Sequence, residues 1–101
     1  MLISAPPDVL RLLGDPLRAR IAEFLAEGPA CTCHLVEGLD ATQSNISNHL
    51  RVLREAGLVA AEPRGRFTYY RLLPGPLEAA AGHLTALAAR ARDTAAVRQE
   101  C

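Results

Sequence analysis

Lysine and tryptophan are absent from this chain of 101 residues, methionine occurs once, and Phe and Tyr together supply only 4%. With so few large rings, the core has to be built from closely packed Leu, Ile, Val and Ala, the composition of a helical protein. All eleven basic residues are Arg, and eleven Asp and Glu cancel them to a net charge of zero. Affinity for nucleic acid must therefore come from where the Arg residues stand, since the overall charge supplies none. No apolar run approaches the roughly 20 residues that cross a bilayer, and residues 1–7 lack the charged start and apolar stretch of a signal peptide. A cytoplasmic protein without membrane association is expected. Also missing are a Cys-x-x-Cys pair, a Gly-rich phosphate loop and a Ser, His and Asp set, which argues against a thiol reductase, a metal-transfer protein or any other enzyme. A chain of this length forms one domain, residues 1–101, burying on the order of 60–70% of its unfolded surface. That leaves a modest core for a partner subunit to complete.

What is present is unevenly placed. Of three cysteines, Cys31 and Cys33 are nearly adjacent and Cys101 is the last residue. Residues i and i+2 of a regular helix point about 200° apart, so two such sulfurs share an ion only where the backbone is not yet helical. Pro29 puts the pair at a helix start, where the positive end of the helix favours thiolates. Two thiolates satisfy few ions, and Cys101 is the candidate for a third. In a reducing compartment an odd number of cysteines favours metal or redox chemistry over a disulfide framework.

Along the chain, Pro6, Pro7 and Asp8 open a short helix that Gly14 closes, and Asp15 caps a second with Pro16 at its first position. Leu17, Ile21, Phe24 and Leu25 repeat at helical spacing until Gly28 and Pro29. A third helix is expected over Cys31–Leu39. Thr42 caps a fourth that runs to Ala56, with Ile46, Leu50 and Leu53 on one face. Leu58–Glu62 and Phe67–Leu72 read as two strands around a turn at Pro63-Arg64-Gly65-Arg66. Pro74 and Pro76 precede a last helix, over about residues 75–98, carrying a stripe of Leu77, Ala81, Leu84, Ala88, Ala91 and Ala95.

Opposite its apolar stripe the fourth helix shows Gln43, Ser44, Ser47, Asn48 and Arg51. A merely solvated face is usually filled with Glu and Lys, which form helices better than Ser and Asn do. Short hydrogen-bonding side chains near a helix N-terminus are what base edges in a major groove require. Arg64 and Arg66 at the hairpin tip, with Arg54 and Arg71, add cations for phosphate. The order of elements is that of a mainly α winged helix-turn-helix with a β-hairpin wing.

At these residues the chain resembles the ArsR/SmtB family of winged-helix metal-sensing repressors. Gly14-Asp15-Pro16-Leu17-Arg18, the stretch Gln43 to Leu50, Leu53 to Val59, Gly65-Arg66 and Tyr69-Tyr70-Arg71 carry the resemblance, over roughly Val9 to Leu87. It implies a homodimer that holds operator DNA, leaves it when metal binds, and dimerises through the last helix. The family's arsenic- and cadmium-type sensors carry a Cys-x-Cys box followed by Asp-Leu; here the box is Cys31-Thr32-Cys33-His34-Leu35, with His34 in place of Asp.

As(III) takes three thiolates, which Cys31, Cys33 and Cys101 would supply. Cd(II) and Pb(II) are alternatives, with His34 the nearest further donor for Cd(II), and a repressor sensing thiol oxidation is another. A tail at the end of the last helix could reach the partner's third helix, sharing the site between subunits. Another branch of the family binds Zn(II) or Ni(II) on its last helix through Asp, His and Glu. His83 and Asp93 stand there without a second His, so His83 reads as a surface or interface residue. His49, at the edge of the apolar face of the fourth helix, is expected to make a structural hydrogen bond or a phosphate contact.

Overall fold

The computed structural model describes residues 6–98. Among them the elements run α1 (Pro6–Leu12), α2 (Pro16–Ala26), β1 (Ala30–Cys31), α3 (Thr32–Leu39), α4 (Gln43–Glu55), β2 (Val59–Arg64), β3 (Phe67–Leu72) and α5 (Pro74–Asp93). The Gly-Asp-Pro-Leu-Arg stretch works as a two-way junction. The Asp15 carboxylate accepts from the N–H groups of Leu17 and Arg18 at 2.9 and 3.1 Å, satisfying donors that the first turn of α2 leaves orphaned. Arg18 then reaches back, its Nε donating to the Leu12 carbonyl at 2.8 Å and so closing α1. Thr42 starts α4 the same way, its hydroxyl accepting from the Asn45 N–H at 3.1 Å.

Ile46, Leu50 and Leu53 of α4 are fully buried against Ile21, Leu25, Leu35, Leu39, Leu58 and Val59. This core fixes α3 and α4 as a helix-turn-helix, with Asp40 in the left-handed conformation at the corner between them. Short polar side chains such as Asp tolerate that conformation better than most.

The wing differs from expectation in three ways. β2 continues to Arg64, which pairs with Phe67, so the turn is the two residues Gly65-Arg66 rather than four. Gly65 alone has positive φ, +61°, as a hairpin turn with Gly at its first position requires. Pro63 sits inside β2 because that strand is an edge of the sheet, order β1-β3-β2, where a missing N–H is tolerated. Third, Ala30 and Cys31 leave the helical path expected for Cys31 and form a short strand against β3, pairing with Tyr70 and Tyr69.

α5 begins at Pro74, one residue earlier than expected, because Pro is tolerated in a first turn whose N–H groups are unpaired anyway. It ends at Asp93 instead of near residue 98, where Thr94 turns its hydroxyl onto the Arg90 carbonyl at 2.6 Å. Only Ala80 of this helix is buried, while Leu84 and Leu87 are 47% and 42% exposed. The radius of gyration, 16.9 Å, exceeds the ~13 Å of a compact chain of about 100 residues, and the long axis is 61 Å.

Candidate thiolate centre and nucleic-acid interface

Cys31 belongs to two elements at once: it ends β1 and is the N-cap of α3, with extended backbone at φ −89° and ψ 168°. Cys33 and His34 follow as the second and third residues of the helix. The cap is a box in which sulfur replaces the usual hydroxyl oxygen. The Cys31 sulfur faces the His34 N–H, and His34 Nδ1 accepts from the Cys31 N–H at 3.3 Å. An amide N–H only donates, so Nδ1 carries the lone pair and the ring proton lies on Nε2. The same Nδ1 lies 3.4 Å from the Cys31 sulfur.

The result is one cluster: the ligand atoms of Cys31, Cys33 and His34 all lie within 4.8 Å of one another. Cys31 is 4% exposed, whereas Cys33 and His34 are open to solvent. Burial pushes the Cys31 thiol up, but hydrogen bonds from Cys33 and from the N–H groups at the helix start outweigh it and hold the thiol below its ordinary value. Cys33 is pushed up, because it donates to Cys31, is partly shielded, and would charge beside it. An ion that takes both sulfurs must displace their protons. Soft donors at an accessible mouth suit a thiophilic ion, so the residues present fit one. Cys101, the expected third thiolate, lies outside the described residues.

A groove of about 310 Å³ joins this cluster to the start of α4 and the wing, lined by Cys31, Cys33, Gln43, Arg66 and Phe67 among others. Gln43 opens α4 and Arg66 tips the wing, so the sulfurs lie between the two elements that a winged helix applies to DNA. Gln43, Ser44, Ser47, Asn48 and Arg51 are all exposed, as a reading face requires. Arg51 is held by its neighbours, donating to Asn48 Oδ1 at 2.6 Å and lying 3.7 Å from Glu55. On the wing, Arg64 pairs with Glu62 at 3.3 Å and lies 4.7 Å above the Tyr69 ring, while Arg66 makes no ion pair among the described residues. Tyr69 in turn meets the His34 ring edge-on at 5.9 Å. Sequence reasoning missed this link, since residues 34, 64 and 69 meet only through the pairing of β1 and β2 with β3.

Two histidines separate from the cluster. His83 and Asp93 join no ligand group among the described residues. His49 is half-buried and its Nδ1 has no hydrogen-bond partner, so the bond expected of it is not made at that atom. The Asp15 carboxyl, at the start of α2, is held below its ordinary value chiefly by the Arg18 N–H.

Comparison with known proteins agrees with this architecture. Residues 15–61 match the family described as bacterial regulatory protein, arsR family. An arsenic resistance transcriptional regulator, ArsR1 of Pseudomonas putida, is 44% identical over 73 residues, 71% of this chain and 57% of that protein. The arsenical resistance operon repressor of Escherichia coli is 37% identical over 91 residues, 89% of this chain and 71% of that one. The chain thus spans little more than half the length of the Pseudomonas relative. An ArsR-like transcriptional regulator from Rhodococcus superposes with a TM-score of 0.80 at 29% identity, covering 94% of this chain and 91% of that one. These relatives are transcriptional regulators, not enzymes. With the helix-turn-helix, the wing and the Cys-x-Cys box in place, the chain belongs to the ArsR/SmtB family of winged-helix transcriptional regulators.

Proposed function

We propose that this protein represses transcription by binding operator DNA as a homodimer and is released when As(III) is captured by cysteine thiolates. The observation that carries the reading is the position of Cys31 and Cys33, in one groove with Gln43 of α4 and Arg66 of the wing. The arsenic-resistance regulators of Pseudomonas and Escherichia support As(III) as the inducer. Gln43, Ser44, Ser47, Asn48 and Arg51 read base edges, and Arg64 and Arg66 hold phosphate. Leu84 and Leu87 of α5, with Leu10 of α1 at 39% exposure, form the surface that a second copy covers.

Arsenite takes three sulfurs, Cys31, Cys33 and Cys101. A dimer presents two α4 helices to successive major grooves about 34–36 Å apart, so a small change in subunit orientation takes one of them out of register. The guest need not touch DNA. If it binds more tightly to the orientation that fits DNA poorly, a differential of about 1.4–2.7 kcal/mol lowers operator occupancy tenfold to hundredfold. A gel shift with DNA from upstream of the coding region, titrated in turn with arsenite, Cd(II), Pb(II) and Zn(II), tests the reading. Release by arsenite from the wild type and none from Cys33→Ser is expected, and equal release from both would refute it.

A further inference from the structure

The geometry points to His34 as the third donor of a site held within one chain: Cys31 Sγ, Cys33 Sγ and His34 Nδ1 together take a thiophilic divalent cation, Zn(II) or Cd(II). This rests on the reading of Cys31 and Cys33 as the inducer's ligands and adds a second class of guest that does not need Cys101.

Three observations lead to it. First, the donor distances are close to those of a loaded site. Zn–S bonds of about 2.3 Å and Zn–N bonds of about 2.0 Å set tetrahedral donors roughly 3.5–3.8 Å apart. Cys31 Sγ and His34 Nδ1 already stand at 3.4 Å, and the widest donor separation in the cluster is 4.8 Å. The sulfur of Cys33, exposed at the second position of the helix, has the freedom to close the remainder by rotating about its own side-chain bonds. Second, His34 is already in the tautomer that binds metal. Its Nδ1 stands within the cluster, and the bond it accepts from the Cys31 N–H is long, 3.3 Å, so little is lost when a cation replaces it. Third, imidazole beside two thiolates is a donor set for Zn(II) or Cd(II), whereas As(III) prefers sulfur throughout. Three protein donors leave a fourth position to solvent.

The same ring rests edge-on against Tyr69, above which lies Arg64 of the wing. Drawing His34 onto a cation therefore acts on a residue that positions a phosphate-binding Arg.

The test is a Cd(II) titration of the full chain under reducing conditions, followed by the near-ultraviolet sulfur-to-metal absorption, for wild type, His34→Gln and Cys101→Ser. Gln at this position still reaches back to the N-cap N–H, so the helix start is kept while the imidazole is lost. Cys101→Ser is expected to bind Cd(II) as the wild type does, and His34→Gln about 100-fold more weakly, since loss of even an outer-shell partner typically costs 10–100-fold. In the unaltered chain, adding Zn(II) should shift the His34 Nδ1 resonance and leave those of His49 and His83 in place, a readout that no variant's folding affects. Wild-type affinity in His34→Gln, a lost affinity in Cys101→Ser, or an unmoved His34 resonance overturns the assignment. Arsenite binding by His34→Gln separates the two readings. If it persists while Cd(II) still binds as in wild type, His34 alone is misassigned; if no sulfur absorption arises with either ion, the cysteine reading falls too.

Discussion

Replacing Cys31 by Ser separates its two roles, as a buried group and as a ligand. At 4% exposure the sulfur contributes hydrophobic burial comparable to a methylene, about 0.8 kcal/mol, which Ser forfeits. Against this, the thiol at the N-cap of α3 is only a weak acceptor, and Ser is among the preferred residues there, worth about 1 kcal/mol over Ala. The two effects nearly cancel. Cys31→Ser should therefore lie within about 1 kcal/mol of wild type, a shift of no more than about 4–8 °C in melting temperature for a domain of this size. Cys31→Ala keeps neither benefit and should fall about 1–2 kcal/mol below it. Urea melts followed by circular dichroism give both values, and gel shifts with and without arsenite give function. Cys31→Ser should bind operator as the wild type does and ignore arsenite. A Ser variant less stable than the Ala variant would mean that the cap is misread. A Ser variant that arsenite still releases would mean that Cys31 is not a ligand.

Three further outcomes follow from particular side chains. Arg66→Ala removes one phosphate contact per subunit, so the slope of log affinity against log salt should fall by about 1.8 for the dimer; filter binding across a salt series checks this, and an unchanged slope would place Arg66 off the DNA. Asp15→Asn keeps a capping side chain but removes a charge. Because the Asp15 carboxyl is held below its ordinary 3.8, its contribution is present at neutral pH and is lost as pH falls through and below 3.8. The melting temperature of the wild type should thus exceed that of Asp15→Asn at neutral pH, with the gap narrowing as pH falls below 3.8, and a gap independent of pH would contradict the assignment. Leu84→Glu places a charge on the exposed stripe of α5 and should convert the dimer to monomer in sedimentation equilibrium, whereas a persistent dimer would put the interface elsewhere.

The parts of this fold that follow from local chemistry could be read directly. Asp15 and Thr42 cap the helices that follow them, and Ile46, Leu50 and Leu53 mark the buried face of α4, because caps and 3.6-residue periodicity are properties of short stretches. The wing was legible as a hairpin but not in its register, since Pro63 signals a turn unless the strand is known to be an edge, and that depends on β1. A strand of two residues has no periodicity to detect. Its consequence is large, because pairing Cys31 with Tyr69 turns the Cys-x-Cys box from part of a helix into a cap and brings His34 onto Tyr69. Spacing alone could suggest His34 as an extra donor. Its orientation toward the sulfurs is set by the Cys31 N–H, a backbone group that carries no sequence signal.

The central claim is that sulfur from this protein encloses the arsenic in the state that has let go of DNA. Arsenic-edge X-ray absorption on the protein recovered from an arsenite-dissociated operator complex measures this directly. A first shell of three sulfurs is expected, falling to fewer when Cys33 is replaced by Ser. A shell of oxygen, as in free arsenite, or no retained arsenic would contradict it.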